Sequence, residues 1–229
     1  LGLSWDARND VVDTRFASSL SRQPWVLSEA AHLPRAHRRP AISLWLVPPP
    51  PTRAALKRIM HARPEQAQAQ SPSSYPCFEP HITLGSAQTL ADARKGVPAQ
   101  RAPVRVRFRD VVAGPVYFRS VFVAVVRDEP MLALEAAVRA GLGNAHPPPS
   151  FPHQSFAYID DADAAERPRL VDEYTQKGIF RMQDGRESWV LDCGEGDLVD
   201  GYVADAIWIV ECDGPVEGWK VLEEIPLDG

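Results

Sequence analysis

Two stretches decide the reading of this chain: Phe78-Glu79-Pro80-His81-Ile82-Thr83-Leu84 and Phe151-Pro152-His153-Gln154-Ser155-Phe156. Each carries an aromatic residue, then Pro-His, one spacer and a hydroxyl residue. On a strand, side chains alternate between faces, so the imidazole and the hydroxyl share one face and the spacer takes the other. Each stretch can therefore aim an imidazole and an alcohol into one cleft. A single Pro-His-x-Thr is a weak signal. The doubled motif is much stronger, because chance must supply Pro, His and a hydroxyl twice at the same offsets. His81, Thr83, His153 and Ser155 are accordingly the candidate site residues.

Two such strands facing each other build a site with two histidines and two hydroxyls. That set suits a phosphodiester. Imidazole titrates near ~6.5, so one ring can be neutral at neutral pH while a tuned neighbour carries a proton. One takes a proton from water, the other gives one to the leaving oxygen, and the hydroxyls donate to phosphoryl oxygens as charge builds. The reactive nitrogens are expected roughly 5–7 Å apart, each a ~3 Å hydrogen bond from the phosphate group between them. This chemistry needs neither metal nor cofactor, and none is expected.

The totals exclude several classes. The chain has 229 residues, enough for one large domain or two lobes sharing a core. A net charge of −5 argues against gripping long nucleic acid, which calls for a basic face, but leaves room for a small anionic ligand in a locally positive pocket. Cys77, Cys193 and Cys212 are odd in number and widely spaced, so neither a disulfide framework nor a paired metal motif can be read from them. The longest apolar run, Val121 to Val126, is strand-sized rather than membrane-spanning. A soluble, monomeric, cytoplasmic protein is the expectation, with endomembrane association left open.

Residues 1–40 read as an N-terminal extension, with a candidate amphipathic helix over Asp10 to Leu20 and a linker from Leu33-Pro34 to Arg39-Pro40. An Arg- and Ser-bearing start suits a transit peptide, against which Asp6, Asp10 and Asp13 count. The chain starts at Leu1, not Met.

The folded part is taken as 41–229. It opens with a strand at 41–47 and a helix from Thr52 to about Ala62 with Leu56, Ile59 and Met60 on one face. A Pro-, Gln- and Ser-rich loop (63–76), the first His strand (about 80–86) and a short helix capped by Thr89 follow. Val104 to Arg109 alternate strictly and pair with a strand at 116–126 around Ala113-Gly114-Pro115. A helix at Pro130–Leu142, the Pro147–Pro149 loop, the second His strand and a helix from Asp161 to about Lys177 come next. Strands at about 187–193, 202–212 and 219–226 close the chain, the last two joined by Asp213-Gly214-Pro215. Each His strand thus sits in a similar helix-bearing unit. The order predicts an α+β fold of two lobes, each an antiparallel sheet with outer helices, related by a pseudo-two-fold, with the cleft between them.

Other residues have ordinary roles to set against functional ones. Arg105, Arg107 and Arg109 share a face and read as solvating an edge strand. Arg119 and Ser120 lie mid-strand, and one of them could face the cleft. Cys77, Glu79 and His81 alternate and could converge on zinc, but Pro76 and Pro80 interrupt the strand and the spacing is not that of a zinc motif. His32, His37, His61 and His146 carry no motif and are expected in solvent.

The doubled motif, the opening Ser43-Leu44-Trp45 strand with its Pro run, and the Ile207-Trp208-Ile209-Val210 strand with its hairpin to Trp219 together resemble the two-histidine phosphoesterase superfamily. Within it, they are similar to the cyclic phosphodiesterases of plants and fungi. The resemblance covers about residues 41–226. It implies the bilobal fold and hydrolysis of nucleoside 2′,3′-cyclic phosphates to 2′-phosphates, or opening of ADP-ribose 1″,2″-cyclic phosphate, a product of tRNA splicing. It makes His81 and His153 the acid–base pair and Thr83 and Ser155 the phosphate ligands. It also puts Tyr158 beside the substrate, with Trp45 on a neighbouring strand. Aromatics on strands are mostly core, and a regular strand would turn Tyr158 away from His153. Gln154 fills a spacer position that is usually apolar, so a wetter back face is expected there. Two rivals stand beside this reading: an RNA end-processing phosphoesterase or ligase, and a non-catalytic nucleotide-binding module.

Overall fold

The computed structural model describes residues 42–99, 101–143, 152–183 and 188–227. The expectations for residues 1–40, the Pro147–Pro149 loop, Phe151 and the histidines at 32, 37 and 146 lie outside them.

The first half of the fold is β1 (Ile42–Val47), α1 (Pro50–Met60), β2 (Ile82–Ala87) and α2 (Leu90–Lys95). Prolines at the first helical positions start α1, where a missing N–H costs nothing, and Ala55, Leu56, Ile59 and Met60 are its buried stripe. Thr89 caps α2 by accepting from the Asp92 N–H. The second half repeats the plan: a hairpin of β3 (Val104–Val116) and β4 (Arg119–Val125), α3 (Glu129–Gly141), β5 (His153–Ala157) and α4 (Glu166–Gln176). Asp128 caps α3, and Met131, Leu134 and Val138 face inward. The chain finishes with β6 (Phe180–Met182), β7 (Trp189–Asp192), β8 (Leu198–Val199), β9 (Gly201–Ala204), β10 (Ala206–Glu211) and β11 (Lys220–Pro226).

Eight strands form one antiparallel sheet in the order β11-β10-β1-β2-β5-β4-β3-β9, and β6-β7-β8 form a small second sheet. The order reads outward in the same way from its centre. Four strands lie on each side, and the His strands β2 and β5 meet in the middle through a single bridge, Ile82 to Gln154. The two sheets expected from the sequence are thus the two halves of one continuous sheet. Leu44, Leu46, Ile82, Val106, Phe108, Val121, Val123 and Phe156 line one face and merge with the helices' apolar stripes into one core. The opposite face carries a separate cluster of Trp45, Val47, Trp208 and Val210, and it is the face left for a site.

Several expected elements differ in detail. The β3–β4 hairpin turns at Tyr117–Phe118, not at 113–115, because a bulge between Ala113 and Val116 absorbs Gly114-Pro115 into β3. Pro115 has no N–H for a ladder bond, and a bulge tolerates that. The strand expected at 202–212 is two strands. Asp205 separates β9, which pairs with β3, from β10, which pairs with β1 at the other end of the sheet. The arginine-bearing β3 is therefore not an edge strand; β9 covers it, and Arg107 pairs with Asp128. The helix expected from Asp161 begins as a separate 3-10 turn at Asp161–Asp163, and α4 starts at Glu166. The short strands β6 and β8 were not expected.

Gln154 also differs. It is fully buried on the core face beside Ile82 and Val123, with both amide atoms unpartnered. The spacer is therefore part of the core, not a solvent-facing residue. An unsatisfied buried polar group costs about 1–3 kcal/mol. Gln154→Met, close in volume, is therefore expected to raise the unfolding free energy by about that amount, read from the midpoint of urea denaturation. A lower midpoint would show that the amide has a partner.

Candidate functional site

The sheet centre assembles the predicted set. Ile82 and Gln154 pair across β2 and β5 and both point into the core. Continuing that antiparallel register by one residue each way sets His81 opposite Ser155 and Thr83 opposite His153. All four side chains therefore share the other face. Directly opposed residues have Cβ atoms ~4.5–5.5 Å apart and diagonal ones ~7–8 Å. The histidines are a diagonal pair, close enough for the His153 ring to bear on His81 electrostatically.

The two histidines sit in different surroundings. His81 is 3% exposed. Its Nδ1 lies 2.6 Å from the Glu79 carbonyl oxygen, which can only accept, so Nδ1 carries the proton and Nε2 presents its lone pair. The Trp45 indole stacks on the ring, centroids 3.6 Å apart and planes within 8°. Trp45 is itself oriented by its Nε1–H, which donates to Ser43 Oγ at 3.0 Å. Burial pulls the His81 pKa down to about 4, and the nearby His153 charge pulls the same way; the Glu79 carbonyl opposes them. His81 is thus neutral at pH 7. His153 is half-buried and meets the Phe122 ring edge-on, centroids 5.0 Å apart.

Thr83 is exposed, whereas Ser155 is buried. Ser155 Oγ reaches the Phe118 carbonyl at 3.4 Å and is a hydrogen-bond partner of the Tyr158 hydroxyl. A regular strand would have turned Tyr158 away. Instead Val121 pairs with Ala157 while Phe122 pairs with Ser155, so Phe156 is an extra residue and the alternation shifts by one. Tyr158 comes round to the site face. There it stacks on Phe78 at 4.2 Å and packs near Tyr117, Phe118 and Trp219.

β2 carries the same bulge at the same offset. Leu44 pairs with Gly85 and Trp45 with Thr83, so Leu84 is the extra residue. In both halves the insertion falls three residues after the histidine, and the hydroxyl residue faces an aromatic on the neighbouring strand: Trp45 for Thr83, Phe122 for Ser155. The sequence reading missed Phe122. Its signal was a second internal repeat, Ser43-Leu44-Trp45 and Ser120-Val121-Phe122. Of the two mid-strand candidates, Ser120 is wholly buried and ties Ile159, accepting its N–H at 2.8 Å.

The zinc alternative fails on geometry. The Glu79 carboxylate is held by Lys57 Nζ at 2.6 Å and lies 3.8 Å from Arg53, and Cys77 is exposed. Among the described residues no three His, Cys, Asp or Glu side chains converge. His61, expected in solvent, is exposed, and its Nε2 also hydrogen-bonds the Phe78 carbonyl at 2.9 Å. A pocket of about 200 Å³ is lined by Trp45, Phe78, Glu79 and Trp219 among others; of the predicted site residues only Trp45 lines it. A larger concavity of about 710 Å³ lies along β3 and β9 and includes none of the predicted site residues. Among the described residues no helix is long and apolar enough to cross a membrane.

A symmetric pair of His-x-hydroxyl strands at the centre of one antiparallel sheet defines a two-histidine phosphoesterase. The profile of the family described as "Cyclic phosphodiesterase-like protein" matches residues 40–227, and the chain belongs to that family. No curated protein sequence matches it. Similar solved structures include TT0787 of Thermus thermophilus, at 21% identity and a TM-score of 0.46, covering 82% of this chain and 98% of that one. E. coli LigT complexed with 3′-AMP is similar at 11% identity and a TM-score of 0.46, covering 84% and 100%. The same protein complexed with NADP+ gives 12% and 0.47, covering 84% and 99%. Family membership supports phosphoesterase activity.

Proposed function

We propose that residues 41–229 form a catalytic domain that hydrolyses cyclic phosphodiesters of small nucleotides without a metal. The substrates are nucleoside 2′,3′-cyclic phosphates, opened to 2′-phosphates, and ADP-ribose 1″,2″-cyclic phosphate, as in the plant and fungal branch. The second of these makes tRNA-splicing by-products the physiological source. The observation that carries the reading is the convergence of both His-x-hydroxyl pairs on one face of two adjacent strands.

His81 enters neutral, with its proton fixed on Nδ1, and is the base. Its Nε2 takes a proton from water as the water oxygen bonds to phosphorus. The P–O3′ bond breaks on the opposite side, and His153 gives its proton to the departing ribose oxygen. Thr83 and Ser155 donate to the non-bridging oxygens, where negative charge grows in the transition state. Trp45 works through His81, holding the ring flat and dry. The Tyr158 phenol, its pKa raised by burial, stays protonated and orients Ser155.

Incubation with 2′,3′-cyclic AMP, with ADP-ribose cyclic phosphate and with an oligonucleotide ending in a cyclic phosphate tests the reading. Phosphorus NMR identifies the products. The expected result is ring opening of the small substrates at a rate that EDTA leaves unchanged. Turnover of the oligonucleotide alone would favour RNA end processing. Tight binding with no turnover would favour a binding module.

A further inference from the structure

We infer that Phe122 is a positioning residue for His153, the counterpart in the second half of the sheet of Trp45 on His81. The inference rests on the reading of the two histidines as catalytic. Three observations carry it. The cross-strand register is the same in both halves: Trp45 faces Thr83 and Phe122 faces Ser155, with the bulge one residue beyond in each His strand. Both aromatics touch the histidine of the adjacent strand, Trp45 flat on His81 at 3.6 Å and Phe122 edge-on to His153 at 5.0 Å. The backbone also leaves room for this ring. A Cβ on Gly114 of β3 would come within 2.0 Å of the Arg119 carbonyl oxygen, so the hairpin backbone requires glycine there, and within 3.0 Å of Phe122 Cε1, so the phenyl ring packs close against that same glycine.

The residue directly opposite His153 on β4 is Ala124, which has no side chain long enough to hold an imidazole. Phe122, two residues back on the same face, can. It sits between the backbone at Gly114 and the imidazole, limiting the rotamers open to the half-exposed His153. A catalytic group misplaced by about 1 Å can cost ~10²-fold.

The test compares Phe122→Leu, Phe122→Tyr and His153→Ala in the full chain with 2′,3′-cyclic AMP. It also records the NMR resonance of the His153 Cε1–H in the free protein. Phe122→Leu is expected to lower kcat by about 10- to 100-fold with KM little changed and to shift the His153 resonance. Phe122→Tyr keeps the ring edge and is expected to restore kcat. Wild-type kcat and an unmoved resonance in Phe122→Leu, with His153→Ala inactive, would overturn the positioning role alone. An active His153→Ala would overturn the catalytic reading beneath it. Should Phe122→Leu fail to fold, Phe122→Met replaces it, and equal kcat in the Met and Tyr variants overturns the inference.

Discussion

Replacing either His81 or His153 by alanine is expected to lower turnover of 2′,3′-cyclic AMP by about 10²–10⁴-fold, the usual contribution of one acid–base group. The two losses are expected not to multiply in the double variant, because the histidines serve one concerted step. They should separate on a second substrate. A phosphodiester with a p-nitrophenyl leaving group departs as a stable anion and needs no proton. His153→Ala is therefore expected to recover most of its loss on that substrate, while His81→Ala, lacking the base, stays slow. The opposite pattern would exchange the two roles, and retention of most activity by either variant on the cyclic nucleotide would remove that residue from the mechanism. His81→Gln is the control for packing, because His81 lies under Trp45 and alanine leaves a hole there.

How much of this could be read from the residues follows from what a strand does to them. Period two made the His-x-hydroxyl pairs legible, since one alternation puts both groups on one face whatever the partner strand is. The repeated strand–helix–His strand order made the two halves legible as well. The bulges were not. Leu84 and Phe156 are ordinary buried apolar residues in their own strands, and their status as insertions exists only relative to β1 and β4. Without the bulge, Tyr158 reads on the wrong face. Phe122 escaped notice because its partner, His153, lies 31 residues away in the sequence and the contact depends on strand pairing. Asp205 was hidden in the same way, since a nearly continuous apolar run from 202 to 212 gives no sign that its halves pair at opposite ends of the sheet.

Acidification is expected to act on this protein through His81 in two measurable ways, both set by burial. The folded-state pKa is about 4, while an unfolded chain titrates near ~6.5. Below ~6.5 the unfolded chain binds a proton that the native state refuses, so stability falls as pH falls through this range and levels off, for this group, below about 4. At ~1.4 kcal/mol per tenfold, the loss totals roughly 3 kcal/mol. The half-buried carboxylates Asp92, Asp163 and Glu223, hydrogen-bonded by Lys95, the Gln70 N–H and Arg94, have pKa values lowered from the ordinary carboxylate range, so their effect comes at lower pH. Urea denaturation at pH 7 and pH 5 should thus show a drop that His81→Gln abolishes; an equal drop in the variant would mean that His81 is not the group responsible. The same depressed pKa sets the acid limb of kcat/KM, which reports the free enzyme. That limb is expected near pH 4 instead of the ordinary imidazole range. In kcat, which reports the complex, it is expected higher, because an anionic phosphate beside His81 favours the imidazolium. An acid limb of kcat/KM at ordinary imidazole pH would mean that the ring is solvated in the free enzyme, and an unchanged limb on going to kcat would mean that the phosphate does not bind beside His81.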